Sequence, residues 1–259
     1  MKDLLVSKFM SSPVRTIRDD APLADAHRIL REYTLSSLAV LNASERLVGV
    51  ISRSDLLRVG RLEEATRRGH LLTLPDKPVH AVMTAGAVTL EPDATVREAA
   101  EGLVSRHIHR VYVTRDGALV GVFSTRDAME AVRVRGVAAP LSEFMSTPVM
   151  TVSATDTVAT ATDRLRDAHV AGLVVIDEEE SPVGIFTQVE ALQCRDDEGA
   201  TPVEDRMSYA TLCLPLRTSM RRAAANAAAT RARRVIAVDR GRAWGVLTGI
   251  DFARALIAD

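Results

Sequence analysis

Gly121-Val122-Phe123-Ser124-Thr125-Arg126-Asp127 is the stretch that decides the fold, because variants of it occur at three other places in the chain. They are Gly49-Val50-Ile51-Ser52-Arg53-Ser54-Asp55, Gly184-Ile185-Phe186-Thr187-Gln188-Val189-Glu190 and Gly245-Val246-Leu247-Thr248-Gly249-Ile250-Asp251. In each copy an apolar run ends in Ser or Thr, and an acid follows three residues later. This arrangement predicts a buried strand that leads directly into a capped helix.

Upstream of each copy the sequence also repeats. Each unit begins near a methionine. At the same interval after each methionine stands an apolar residue, and further apolar residues follow it at +3 and +7, as on the buried face of a helix. Those first positions are Leu23, Val96, Val158 and Met220, and Pro22, Thr95, Thr157 and Ser219 precede them. Short apolar runs at 38–41, 111–113, 173–176 and 235–238 predict buried strands. Each unit is therefore predicted to be β-α-β-β-α.

The repeats predict an α/β protein of four such units, at 1–60, 79–136, 137–194 and 203–259, with linkers at 61–78 and 195–202. We expect a longer helix or loop in the first linker. A unit of this size buries too little surface alone, so we expect unit 1 to pair with unit 2, and unit 3 with unit 4.

Composition disfavours several functional classes. The formal net charge of −1 gives no overall attraction to nucleic acid or to an anionic membrane, and no apolar run is long enough to span one. Cys194 and Cys213 fit no metal spacing, and free thiols in a cytoplasmic protein are favoured over a disulfide. No metal-binding, nucleophile or P-loop motif is present, and the fourth unit runs to the last residue. We therefore expect neither enzyme activity nor a catalytic cofactor.

The Ser/Thr-x-x-acid motif has two interpretations. As a capping box it satisfies backbone N–H groups at the start of a helix. As a ligand site, the helix N-terminus and the hydroxyl bind a phosphate, and the carboxylate accepts hydrogen bonds from ribose.

A second position distinguishes the units. Immediately before the second strand of each unit stand Ser36-Ser37, His109-Arg110, Ala171-Gly172 and Arg233-Arg234. The basic pairs of units 2 and 4 are either solvated charges at a sheet edge or contacts to phosphate, which arginine binds in a bidentate manner.

Together these features resemble the cystathionine β-synthase (CBS) domain family. The likeness rests on the Met-x-x-Pro-Val starts, on Ile108-His109-Arg110-Val111-Tyr112-Val113 and on the stretch from Gly121 to Asp127. The four-unit layout, two Bateman modules, is similar to that of the gamma subunit of AMP-activated protein kinase. The resemblance implies an adenosine-containing ligand in the cleft between paired units.

Carried over by position, the resemblance implies ribose contacts from Asp55, Asp127 and Asp251. It implies phosphate contacts from Ser52, Ser124 and Thr248, with basic contacts from His109, Arg110, Arg233 and Arg234; Arg126 and Thr187 are further candidates. Unit 2 has the fullest set. Unit 3 departs from the pattern, since Glu190 replaces Asp and Ala171-Gly172 replaces the basic pair, and unit 1 also lacks that pair.

The sequence therefore predicts a regulatory protein that binds AMP, ADP or ATP and signals occupancy to an unidentified partner or through its own homodimer. A scaffold that binds no ligand, an S-adenosylmethionine sensor and an enzyme stay open as alternatives.

Overall fold

The computed structural model describes residues 4–33, 35–59, 61–62, 72–168, 170, 172–194 and 200–258. The chain divides into two compact units, Met1–Ser124 and Thr125–Asp259. Across the described residues the β-α-β-β-α order occurs four times, which confirms the predicted fold class. No helix in this part of the chain is both long enough and apolar enough to cross a bilayer.

The helices and strands follow the repeats. The elements of the first unit are β1 (Thr16–Arg18), α1 (Leu23–Glu32), β2 (Ser37–Leu41), β3 (Leu47–Ser52), α2 (Arg53–Val59), β4 (Arg61–Leu62), β5 (Leu72–Thr73), β6 (Thr84–Ala85), β7 (Thr89–Leu90), α3 (Val96–Ser105), β8 (Arg110–Arg115) and β9 (Ala118–Ser124). The elements of the second unit are α4 (Thr125–Arg135), β10 (Thr151–Ser153), α5 (Val158–Asp167), β11 (Gly172–Ile176), β12 (Pro182–Thr187), α6 (Gln188–Gln193), β13 (Cys213–Pro215), α7 (Met220–Thr230), β14 (Arg234–Asp239), β15 (Arg242–Thr248) and α8 (Gly249–Ala258).

The sheets of the four repeats have one topology. In each, the first strand is parallel to the second, and the second is antiparallel to the third. The first linker was predicted to be a helix or loop, but β4 and β5 pair antiparallel, with Arg61 opposite Thr73. Residues 63–71 between them, and 195–199 of the second linker, lie outside the described residues.

The first helix of each repeat buries the face that the sequence predicts. Leu23, Val96, Val158 and Met220 are all buried, as expected of equivalent positions on one helix face. Thr95 forms the predicted capping box with Glu98 at the start of α3. Because the same face is apolar in every repeat, each helix covers its own sheet and builds a core that is mainly aliphatic.

Within each compact unit, the short segment at the start of one repeat pairs with a strand of the other repeat; we call these the leading segments. The segment that begins at Met83 pairs with β3, so Thr84 lies opposite Val50. In the same way Ser146 bridges to Val246, and Ser208 bridges to Ile185. Each repeat thus completes the sheet edge of its neighbour, which explains why the repeats occur as pairs.

The last helix of the second repeat, α4, belongs to the second compact unit. It packs against α7 and α8, and Arg135 Nη1 donates a hydrogen bond to the carbonyl oxygen of Leu256 at 3.5 Å. The buried residues of α4 are Ala128, Met129, Ala131 and Val132. The boundary between the two compact units, after Ser124, therefore comes before the end of the second repeat, which the sequence analysis places at residue 136.

Candidate functional site

The Ser/Thr-x-x-acid motifs of repeats 1, 3 and 4 act as helix caps. In repeat 1, Asp55 Oδ2 accepts hydrogen bonds from the Ser52 backbone N–H at 2.9 Å and from the Ser52 hydroxyl at 2.6 Å. The Asp55 N–H donates to Ser52 Oγ at 3.2 Å, which completes the reciprocal pair. Thr187 and Glu190 form the corresponding capping box at α6. The capping interpretation of the motif therefore describes these helix starts.

Two of the carboxylates are engaged on both oxygens. Asp251 Oδ2 accepts hydrogen bonds from the Thr248 N–H at 2.7 Å and the Thr248 hydroxyl at 3.0 Å, and Oδ1 pairs with Arg254 at 2.9 Å. Asp55 Oδ1 pairs likewise with Arg58 at 3.0 Å. Asp251 is only 2% exposed. Ribose could therefore reach Asp251 only if these local contacts rearranged.

Burial also perturbs the acidity of Asp251. Desolvation raises the pKa of this carboxyl above its ordinary value, and the hydrogen bonds from Thr248 and the charge of Arg254 oppose that rise without cancelling it. Burial thus destabilises the charged form of the carboxylate, although Thr248 and Arg254 hold it at the start of α8.

Arg110 and Arg234, the second residues of the two basic pairs, are half-buried, which differs from the solvated-edge alternative. Arg110 begins β8, and its Nη1 donates hydrogen bonds to the carbonyl oxygen of Ser37 at 3.2 Å and to the Ser37 hydroxyl. Arg234 begins β14 in the same way. Burial lowers the pKa of Arg234, and the negative charge of Glu190 acts in the opposite direction. Its guanidinium nevertheless stays charged at neutral pH.

A cavity of about 220 Å³ lies between repeats 3 and 4, inside the second compact unit. Arg234 and Thr248 contribute two of its polar groups, and Gly172 lies beside the arginine. The lining residues are Ser146, Pro148, Val149, Met150, Val170, Gly172, Leu173, Val174, Ile185, Arg234, Val246 and Thr248. An apolar wall with a few polar groups is the usual character of a small-molecule site.

The structure brings together only part of the predicted site. Arg234 and Thr248 line the cavity, and a Cβ on Gly172 would lie 3.1 Å from Thr187 Cγ2, so Thr187 adjoins it. Asp251 is not a lining residue, but its carboxylate accepts hydrogen bonds from the N–H and hydroxyl of Thr248. The sequence ranking favoured repeat 2, and it did not anticipate that repeat 3 would supply most of the wall.

The remaining candidates lie elsewhere. His109, Arg126 and Arg233 are exposed, and Ser52 is half-buried at the end of β3. Ser124 ends β9, whereas Asp127 lies in the first turn of α4; both are half-buried.

Comparison with known proteins identifies the family. The model of the CBS domain matches residues 6–61, 79–134 and 141–195. The chain belongs to the CBS domain family. The fourth repeat lies beyond the matched CBS segments, but its β13-α7-β14-β15-α8 order repeats theirs. The chain is thus a tandem array of CBS repeats.

Two curated relatives each match about half of the chain. The A-adding tRNA nucleotidyltransferase of Aquifex aeolicus is 31% identical over 130 residues, which are 50% of this chain and 14% of that enzyme. The uncharacterized protein MJ1426 of Methanocaldococcus jannaschii is 29% identical over 154 residues, 50% of this chain and 91% of its own length. The chain thus spans only a small part of the nucleotidyltransferase but nearly the whole of MJ1426.

Solved structures that match nearly all of the chain include an uncharacterized conserved protein from Pyrococcus horikoshii, with a TM-score of 0.72 at 18% identity over 98% of this chain and 100% of that one. Protein MJ1225 of Methanocaldococcus jannaschii, proposed as an archaeal homologue of g-AMPK, has a TM-score of 0.74 at 17% identity. The alignment covers 97% of this chain and 99% of that one. At this identity the likeness establishes a shared four-repeat fold.

Proposed function

We propose that this protein is a regulatory sensor that binds an adenosine nucleotide in the cavity between its third and fourth CBS repeats. The observation that carries the proposal is Arg234, a half-buried arginine that lines an otherwise mainly apolar cavity beside Thr248. A flat base fits against the aliphatic wall, and the guanidinium and hydroxyl suit a phosphate. Membership of the CBS family points to an adenosine-containing ligand.

The size of the cavity favours the smallest of these nucleotides. Its volume of about 220 Å³ lies below the roughly 300–1,000 Å³ typical of sites for drug-sized ligands. We therefore infer that AMP binds more tightly than ATP or S-adenosylmethionine. ADP would be intermediate.

We infer a regulatory and not a catalytic role. The described lining residues offer a guanidinium and hydroxyl groups, and none of them is a carboxylate, an imidazole or a thiol. Acid–base catalysis needs such groups within reach of the ligand, and a hydroxyl nucleophile needs an available base beside it, whereas the Asp251 carboxylate beside Thr248 is engaged on both oxygens.

Signalling would follow from the position of the cavity between two repeats. Residues of repeat 3, such as Gly172, and residues of repeat 4, such as Arg234, line it together. A ligand that contacts both repeats favours one packing of the pair over another, and a partner protein or a second copy of the chain can respond to that packing.

Thermal unfolding in the presence of ligands tests the proposal. A ligand at a hundredfold excess over Kd stabilises the native state by about 2.7 kcal/mol, which shifts Tm by several degrees. We expect AMP to raise Tm more than ATP or S-adenosylmethionine, and GMP and inorganic phosphate at equal concentration to have little effect. If none of the adenosine compounds raises Tm, the ligand-free scaffold becomes the better account.

A further inference from the structure

Repeat 4 exposes the chain's one tryptophan. Trp244 lies in β15, immediately before the glycine of the repeated motif, and 57% of its surface is accessible. The same position in the other repeats holds a valine, and all three valines are half-buried: Val48, Val120 and Val183. Tryptophan is enriched among the residues that dominate the binding energy of protein interfaces, because it buries a large apolar surface on contact. An exposed tryptophan in place of a half-buried valine therefore points to a contact surface.

Two charged turns meet near this tryptophan. Residues 177–181, which we call the acidic turn, join β11 to β12 and carry four acids. Residues 239–242, the arginine turn, join β14 to β15 and carry two arginines. Arg242 Nη1 pairs with Glu180 Oε2 at 2.9 Å, so the two turns lie side by side. Trp244 follows Arg242 by two residues along β15.

The charges of the two turns are only partly paired within the chain. Glu178, Glu179 and Arg240 are exposed, and none of the three forms an ion pair with another described residue. In the first pair of repeats the equivalent turns are each neutral, with one acid and one base: Glu45 with Arg46, and Arg115 with Asp116. Only the second pair therefore places an excess of negative charge beside an excess of positive charge.

We propose that Trp244 and the two turns form the contact surface of a homodimer, in which a two-fold axis sets the acidic turn of each copy against the arginine turn of the other. A surface with adjacent negative and positive halves is complementary to itself after a rotation of 180°, as a two-fold contact requires. Trp244 then supplies the apolar centre, and the charges form the rim. None of these residues lines the cavity, so the inference goes beyond the ligand proposal and does not depend on it.

Sedimentation velocity and tryptophan fluorescence of the whole chain test this surface. The parent should be a dimer that dissociates on dilution, and added salt should weaken it, because salt screens exposed charges. The single tryptophan should emit at shorter wavelength in the dimer than in the monomer. Trp244→Val, which introduces the residue of the other repeats, should raise the dissociation constant more than tenfold.

Charge reversal identifies the turns that face each other. Arg240→Glu should abolish the dimer, and so should Glu178→Arg combined with Glu179→Arg, because like charges then meet across the axis. Glutamate suits the turn at position 240, since Glu180 already holds a positive φ like that of Arg240. An equimolar mixture of the two reversed variants should dimerise again, since each supplies the charge that the other lacks.

Arg231→Glu is the matched control. Arg231 is exposed and caps the end of α7, before β14 begins, whereas Arg240 follows the end of that strand. This variant should dimerise like the parent.

A parent that stays monomeric at its highest soluble concentration would overturn the inference. So would a dimer that Trp244→Val and Arg240→Glu leave unchanged, because the copies would then meet elsewhere. A mixture of the reversed variants that stays monomeric would exclude the two-fold arrangement and overturn it as well. The nucleotide proposal would stand in each case, since it concerns other residues.

Discussion

Met145 packs its side chain onto the backbone of Gly245, so that a Cβ on the glycine would lie 2.7 Å from Met145 Cγ. The methionine opens repeat 3 and the glycine lies in a strand of repeat 4. In the same unit Met207 packs on Gly184 in the opposite direction, where a Cβ would lie 2.8 Å from Met207 Cγ. The methionine of each repeat thus packs on the glycine of the other, which gives two reciprocal contacts between the paired repeats.

This contact predicts a specific mutational cycle. Gly245→Ala should destabilise the protein by about 1–3 kcal/mol, because the added methyl has no room beneath Met145. Met145→Ala should also destabilise it, by loss of packing. The double variant should be destabilised by less than the sum of the two single effects, because removing the Met145 side chain makes room for the added methyl. Urea unfolding of the four proteins measures the coupling, and strictly additive effects would contradict the packing described.

The raised pKa of Asp251 predicts a pH dependence of stability. A carboxyl whose folded pKa exceeds its unfolded pKa binds more protons in the native state between the two values, so its contribution to stability falls as pH rises through that window. Relative to Asp251→Asn, which does not titrate, the parent should gain stability as pH falls from 7 toward 4. Urea unfolding across this range measures the difference. A parent that loses stability relative to the Asn variant over the same range would show that Thr248 and Arg254 outweigh burial.

Glu190 should weaken nucleotide binding at the cavity. Its carboxylate caps α6 through Thr187, and its charge acts on Arg234. Glu190→Gln keeps an acceptor for the cap but removes the charge that competes with a phosphate for the arginine. We expect AMP affinity to rise a few-fold and adenosine affinity to stay constant, as measured by calorimetry. Weaker AMP binding in Glu190→Gln would instead give Glu190 a direct role in holding the ligand.

The sequence predicted the fold well because the fold depends on local patterns. The spacing of apolar residues after Leu23, Val96, Val158 and Met220 is a property of each helix alone, and all four residues are buried. The exchange of leading segments was not predicted, since pairing between Met145 and Gly245 joins distant parts of the chain. A glycine in the same strand position of every repeat was the signal for that close approach.

The candidate site was predicted only in part, for the same reason. Arg234 and Thr248 carry a recognisable chemistry in the sequence, and both line the cavity. The wall from Val149 to Val174 is made of ordinary aliphatic residues, which no motif distinguishes from core. The hydrogen bond between Arg110 and Ser37 depends on how two repeats meet, so the sequence could not show that the fullest motif set has its arginine engaged.

The proposed function depends on contact between Arg234 and the phosphate of an adenosine nucleotide in the cavity between repeats 3 and 4. The most direct test is calorimetric titration of AMP and of adenosine into the parent, Arg234→Ala and Arg233→Ala, the last being an exposed neighbour of equal charge. Loss of a charge-assisted hydrogen bond costs roughly 1.5–3 kcal/mol, so Arg234→Ala should weaken AMP binding more than tenfold. Its affinity for adenosine, and the affinity of Arg233→Ala for both ligands, should match the parent. An Arg234→Ala protein that binds AMP as tightly as the parent would contradict the account.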